Sequence, residues 1–107
     1  REVTLLAQDL TSYRYEDTDL AGLARAVMRD TDIAWLRLLY LHPSGITGNL
    51  LQVISEFSTR ICPYLDIPIQ HAASDILKRM GRGYDASYLD LLFGRIREVL
   101  PAAALRT

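Results

Sequence analysis

Cysteine is nearly absent: Cys62 is the only one among 107 residues. A lone thiol closes no intrachain disulfide and holds no metal by itself, and it suits a reducing, cytoplasmic setting. Within Ile61-Cys62-Pro63 it reads as a small buried hydrophobe. A surplus of one charge is also missing, since 12 Lys and Arg face 13 Asp and Glu for a net charge of −1. That balance exerts no general pull on nucleic acid, and direct nucleic-acid binding is not expected. The one local basic group, Lys78, Arg79 and Arg82, reads as a solvated helix end and loop. No apolar run reaches the roughly 18 residues of a membrane span, so no membrane association is expected. No basic start followed by an apolar stretch marks a signal peptide. No glycine-rich loop joins a strand to a helix, which excludes a phosphate cradle of the P-loop or dinucleotide type. There is no Gly-x-Ser-x-Gly elbow, and His42 and His71 lack helical metal-ligand spacing.

What is present is a globular composition, 50% hydrophobic and 23% charged, arranged in two alternating kinds of segment. Val3 to Ala7 has strand character. From Leu20 the period changes: Leu20, Leu23, Ala24, Val27 and Met28 line one helical face, with Thr18 or Asp17 as its cap. Trp35 to Leu41 reads as a second strand, stopped by His42-Pro43-Ser44-Gly45. Thr47 caps a helix whose face is Leu50, Val53, Ile54 and Phe57. Tyr64 to Ile69 reads as a third strand, with Pro68 where its ladder ends. Ser74 or Asp75 opens a short helix through Met80, closed by Gly81. Asp85 caps a longer one that carries Leu89, Leu92, Phe93, Ile96 and Leu100 and stops at Pro101. Leu105 begins a fourth strand. The stretch from Gln8 to Asp17 carries no expected element.

Strands separated by helices pair in parallel, with the helices covering the sheet. The expected fold is therefore α/β with about four parallel strands, a partial (β/α) barrel or a small doubly wound sheet. Alternation in two strands favours the barrel. Glu2, Thr4 and Gln8 oppose Val3, Leu5 and Ala7, while Tyr64, Asp66, Pro68 and Gln70 oppose Leu65, Ile67 and Ile69. An apolar face toward helices and a polar face toward a wet lumen account for both. The second strand resists this assignment, because Arg37 and Tyr40 have opposite parity.

Parallel α/β folds place ligand sites at the carboxyl ends of their strands. Those ends are Gln8-Asp9, His42-Pro43, Gln70-His71 and Arg106-Thr107, all polar, which points to a site for a polar ligand with anionic groups. Each has a plainer reading. Asp9 can simply start a turn, and His42 can be a helix-entry residue held by packing. Asp66 is expected either to pair with Arg37 across the lumen or to stay free for a substrate, the structural pair being favoured.

At these same strand ends the sequence resembles a known family. The stretches Leu6-Ala7-Gln8-Asp9-Leu10-Thr11-Ser12-Tyr13, Arg37 to Thr47, and Cys62-Pro63-Tyr64-Leu65-Asp66-Ile67-Pro68-Ile69-Gln70-His71 look like the radical S-adenosylmethionine (SAM) methylthiotransferases. So do Ile76-Leu77-Lys78-Arg79-Met80 and Ala103-Ala104-Leu105-Arg106-Thr107, in the same order. Ala7-Gln8-Asp9, Tyr40-Leu41-His42-Pro43 and Pro68-Ile69-Gln70-His71 place the resemblance nearer the ribosomal-protein (RimO-type) branch than the tRNA (MiaB-like) branch.

The resemblance implies a TIM-like barrel and a transferase that attaches a methylthio group to an aspartate of a small-subunit ribosomal protein. It implies two kinds of cofactor, SAM and 4Fe-4S clusters, the first cluster sitting on a Cys-x3-Cys-x2-Cys loop and cleaving SAM to a 5′-deoxyadenosyl radical. That loop is missing here. So are the Gly-Phe-Pro-Gly-Glu-like segment and the flanking auxiliary-cluster and substrate domains. The expectation is an internal piece, residues 1–107 running from the second strand of the core to the start of its fifth, without cluster ligands and inactive alone. By the resemblance, Gln8, His42, Gln70, His71 and Arg106 line part of the SAM pocket, with Arg106 a partner for a carboxylate. Two positions depart from the family pattern: Arg14 stands where Gly is usual, and Ala73 where Ser is usual. The alternatives are a MiaB-like tRNA enzyme piece, a different barrel enzyme, or a non-catalytic binding module derived from such a barrel.

Overall fold

The computed structural model describes residues 1–69, 73–81 and 83–107. Its elements follow one another as β1 (Glu2–Leu5), a 3₁₀ turn (Leu10–Ser12), β2 (Arg14–Tyr15), β3 (Thr18–Asp19) and α1 (Leu20–Asp30). Then come β4 (Trp35–Leu38), a second 3₁₀ turn (Pro43–Gly45), α2 (Gly48–Glu56), β5 (Tyr64–Asp66), α3 (Ser74–Arg79), α4 (Ala86–Val99) and β6 (Ala104–Arg106).

The chain is mixed α/β with small parallel sheets. β1 pairs with β4, Val3 opposite Leu36 and Leu5 opposite Leu38. β5 pairs with β6, Leu65 opposite Leu105 and Asp66 opposite Arg106. The two pairs are joined more loosely. Leu36 and Ile61 form a single parallel bridge, and the Leu41 amide donates to the Asp66 carbonyl at 2.9 Å. Spatial order thus follows chain order, β1-β4-β5-β6. Among the described residues these strands do not close into a barrel.

The molecule measures 45 × 31 × 21 Å. Its least dimension holds about two layers, one helix and one sheet, at roughly 10 Å each. The core is the seam between them. Ala24 and Met28 of α1, Leu50, Leu51 and Ile54 of α2, and Leu92 and Ile96 of α4 pack with Leu36, Leu38 and Leu65. The opposite strand positions are Glu2 and Thr4, Trp35 and Arg37, Tyr64 and Asp66, and Ala104 and Arg106. Glu2, Thr4, Arg37, Asp66 and Arg106 are the polar groups of that face, with Trp35, Tyr64 and Ala104 among them, and β4, whose faces the sequence left open, contributes to it. β4 stops at Leu38, and Tyr40 takes a φ of 61°, so the parity of Arg37 and Tyr40 never conflicts within one strand.

Several expectations are corrected. The strand expected over Val3–Ala7 ends at Leu5, the one over Trp35–Leu41 at Leu38, and the one over Tyr64–Ile69 at Asp66. In each case the apolar run outlasts the regular ladder, although single backbone bonds such as those of the Leu39, Leu41 and Ile67 amides continue past it. The Gln8–Asp17 stretch is not bare: β2 and β3 form a short antiparallel pair, Arg14 opposite Asp19 and Tyr15 opposite Thr18. That pairing withdraws Thr18 and Asp17 as caps. Asp19 caps α1 instead, accepting from the Gly22 amide at 2.9 Å. Thr47 and Asp85 cap α2 and α4 as expected, accepting from the amides of Leu50 and Tyr88. Gly81, at φ 72°, closes α3. Cys62 is buried. No helix among the described residues is long and apolar enough to cross a membrane.

Candidate ligand site at the strand carboxyl ends

The carboxyl ends of the four parallel strands meet along one rim through backbone bonds. The Leu39 amide donates to the Leu5 carbonyl at 3.2 Å, and the Leu10 amide to the Tyr40 carbonyl at 2.9 Å. The Leu41 amide donates to the Asp66 carbonyl at 2.9 Å, and the Ile67 amide to the Arg106 carbonyl at 2.8 Å. Gln8, His42 and Arg106 are carried on the segments these bonds tie together. Gln70 and His71 lie outside the described residues, as does Arg82 of the basic group.

Gln8 is exposed just beyond β1. Its neighbour Asp9 is a turn residue. One carboxylate oxygen accepts from the Thr11 amide at 3.0 Å and from the Thr11 hydroxyl, and the other accepts from the Ser12 hydroxyl at 2.6 Å. Burial works to raise the Asp9 pKa. The hydrogen bonds from Ser12 and Thr11, together with the charge of His42, outweigh it and hold the carboxyl below the ordinary aspartate value.

His42 also turns its chain. Its Nδ1 accepts from the Ser44 amide at 3.3 Å and lies 2.7 Å from the Ser44 hydroxyl. An accepting Nδ1 leaves the proton of the neutral ring on Nε2, the nitrogen free to donate to a ligand. The ring meets Tyr84 edge-on, 5.6 Å between centroids. The helix-entry reading thus describes Nδ1, which caps the 3₁₀ turn.

On the polar sheet face the charges pair differently from the expected Asp66–Arg37 contact. Arg37 Nε donates to Glu2 at 3.0 Å and its guanidinium lies over the Tyr64 ring at 5.9 Å. Asp66, only 7% exposed, faces Arg106 across the β5–β6 register with Nε and Oδ1 3.9 Å apart. Strand register decides this, since Arg106 is directly opposite Asp66 whereas Arg37 lies on the far side of Tyr64. The Arg106 side chain is 73% exposed. With Nε turned toward Asp66, its two terminal nitrogens present an edge of the shape that suits bidentate contact with a carboxylate.

Beside the rim opens a cleft of about 580 Å³ lined by Ser74, Lys78, Gly83, Tyr84, Asp85 and Tyr88. It shares Tyr84 with His42, and the Tyr88 hydroxyl donates to the Pro43 carbonyl at 3.2 Å. Sequence reasoning missed this cleft. Its walls come from two helices and their junction, and no local pattern announces it. Lys78 and Arg79 are exposed, as the solvated reading requires. Among the described residues no three His, Cys, Asp or Glu side chains gather to hold a metal ion.

No protein-family model matches the chain. Individual curated proteins do. The chain is 43% identical to the ribosomal protein uS12 methylthiotransferase RimO of Geobacter sulfurreducens, 44% to that of Syntrophus aciditrophicus and 39% to that of Trichlorobacter lovleyi. Each match takes in 100% of this chain and 24% of the relative. The chain is homologous along its full length to RimO-type uS12 methylthiotransferases, and it spans about a quarter of their length.

Proposed function

We propose that this chain is the central part of a radical-SAM core, its strands being the second to the start of the fifth of a (β/α) barrel. The whole protein would attach a methylthio group to an aspartate of ribosomal protein uS12 in a reducing cytoplasm. One coincidence carries the reading: the polar strand ends, Gln8, His42 and Arg106, fall within the stretches that resemble the family, and the match runs through all of them.

The donor chemistry suits SAM. Arg106 offers a guanidinium edge to a carboxylate, His42 offers Nε2–H, and Gln8 offers an amide, all to one polar rim. With Gln70 and His71 they would bind and orient the cofactor. A 4Fe-4S cluster does not fit this chain, whose single cysteine, Cys62, is buried. Its ligands would come from elsewhere in the protein, and no step here is routed through it. When bound, the cofactors would supply radical hydrogen abstraction and the methylthio group. The chain by itself is inactive in this reading.

The pocket is tested in a hybrid enzyme in which this chain replaces the matched quarter of the Geobacter sulfurreducens relative. Arg106→Ala and Gln70→Ala are each expected to weaken SAM binding about tenfold, the loss of one hydrogen bond to a charged ligand group. Unchanged affinity in both variants rejects the pocket assignment.

A further inference from the structure

Asp66 puts a carboxylate where a strand has little use for one. Aspartate is depleted in strands, and this one is buried, its side chain only 10% exposed. Its backbone makes the structure there: the Asp66 carbonyl accepts from the Leu41 amide, and the residue stands in register with Arg106. Its side chain does not. Among the described residues the carboxylate accepts no hydrogen bond, and its one ion-pair contact is Arg106 Nε at 3.9 Å. Arg37, another cation of the same sheet face, is engaged by Glu2 and lies over Tyr64. A buried carboxylate held by one long contact returns less to folding than its desolvation costs, so stability does not account for it. Arg106 has the opposite character. Its side chain is 73% exposed, and among the described residues Asp66 is its one ionic partner. An arginine so exposed has many rotamers open to it. The buried carboxylate beside Nε is the feature that selects among them.

We propose that Asp66 is a positioning residue: it draws the Arg106 guanidinium in by Nε and so keeps the edge formed by its two terminal nitrogens ready for the carboxylate of SAM. The proposal rests on the reading given under Proposed function. A donor pair oriented in advance meets its ligand without first giving up rotamer freedom, and this pre-organisation adds to affinity. Asp66 does not repel the cofactor as a whole, because SAM carries an ammonium and a sulfonium beside its one carboxylate.

The test uses the same hybrid enzyme, read by equilibrium binding, with Asp66→Asn, Arg106→Ala and the two combined. Asp66→Asn keeps the shape and removes the charge. It is expected to raise the Kd for SAM about fivefold, the scale of ordering one flexible side chain on binding. For decarboxylated SAM, which offers Arg106 no carboxylate, the Kd should stay within about twofold. In the Arg106→Ala background, Asp66→Asn should add no more than about twofold, because it acts through a group already gone. Its melting temperature should stay within about 5 °C, since it loses no side-chain hydrogen bond. If Arg106→Ala weakens SAM binding and Asp66→Asn does not, the proposal is overturned while the parent reading stands. Equal losses for SAM and its decarboxylated form, a full further loss in the Arg106→Ala background, or a larger fall in melting temperature would each make Asp66 a structural residue and overturn the proposal. Unchanged SAM affinity in Arg106→Ala removes Arg106 from the pocket, and the proposal with it.

Discussion

Arg60→Ala is expected to lower the free energy of unfolding by about 3 kcal/mol, through charged hydrogen bonds worth roughly 1.5–3 kcal/mol each that do not add fully. Arg60 follows α2 in the chain but serves α1. Its Nη1 donates to the Met28 carbonyl at 2.7 Å, one Nη2 bond reaches the Thr31 carbonyl at 2.9 Å, and Nε and Nη2 both reach Ile33, at 3.1 and 2.8 Å. These carbonyls end α1 and begin the link to β4. A helix leaves its last carbonyls without intrahelical partners, and a cation there also meets the negative end of the helix dipole. Removing the guanidinium strands several acceptors at once. Arg60→Lys should recover only a minor part, since one ammonium cannot span the fork. Chemical denaturation of the chain measures this directly. A loss below about 1 kcal/mol for Arg60→Ala, the value of one ordinary neutral hydrogen bond, would contradict the assignment.

Gly45→Ala is expected to cost about 2–3 kcal/mol, the upper range for forcing an extra methyl into a packed site. A Cβ on Gly45 would stand 2.1 Å from Thr11 Oγ1 and 2.3 Å from Thr11 Cβ. A rotamer change frees the hydroxyl but not the Cβ, so backbone must move. Thr11 cannot retreat easily, being buried and bonded to Asp9 through both its amide and its hydroxyl. The contact locks the turn after β4 onto the turn after β1, the two that carry His42 and Gln8. A fall in melting temperature of roughly 10 °C or more is expected for a domain of this size. Adding Thr11→Gly removes the obstructing Cβ, so the double variant should be more stable than the sum of the two losses by at least about 1 kcal/mol. Strict additivity would show that the clash is not the cause.

These two positions mark where sequence reasoning stops. Caps at Thr47 and Asp85 were legible because a cap acts on amides within its own helical turn. The cap of α1 was placed at Thr18 or Asp17, one or two residues early, because the β2–β3 pairing that makes Asp19 the cap is set by register. The polar sheet face was legible from alternation in β1 and in the third predicted strand. It stayed ambiguous in β4 until the left-handed Tyr40 ended that strand. Arg60 and the Gly45–Thr11 contact bridge segments about thirty residues apart, and no local spacing encodes them. Likewise Asp66 was rightly suspected of a structural ion pair but given the wrong partner, since only strand order sets it opposite Arg106. The candidate site was read from the polar strand ends and a resemblance to known enzymes. The cleft beside it depends on how α3 and α4 meet and was not.

The most direct test of the central claim is methylthiolation of uS12 by the hybrid of this chain and the Geobacter sulfurreducens relative, reconstituted with clusters and read by the mass of the ribosomal protein. The account predicts modified uS12 at a rate within about tenfold of the relative's own, as expected when a homologous core segment preserves the rim that orients the reactants. A hybrid that folds, carries its clusters and binds SAM yet yields only unmodified uS12 would contradict it.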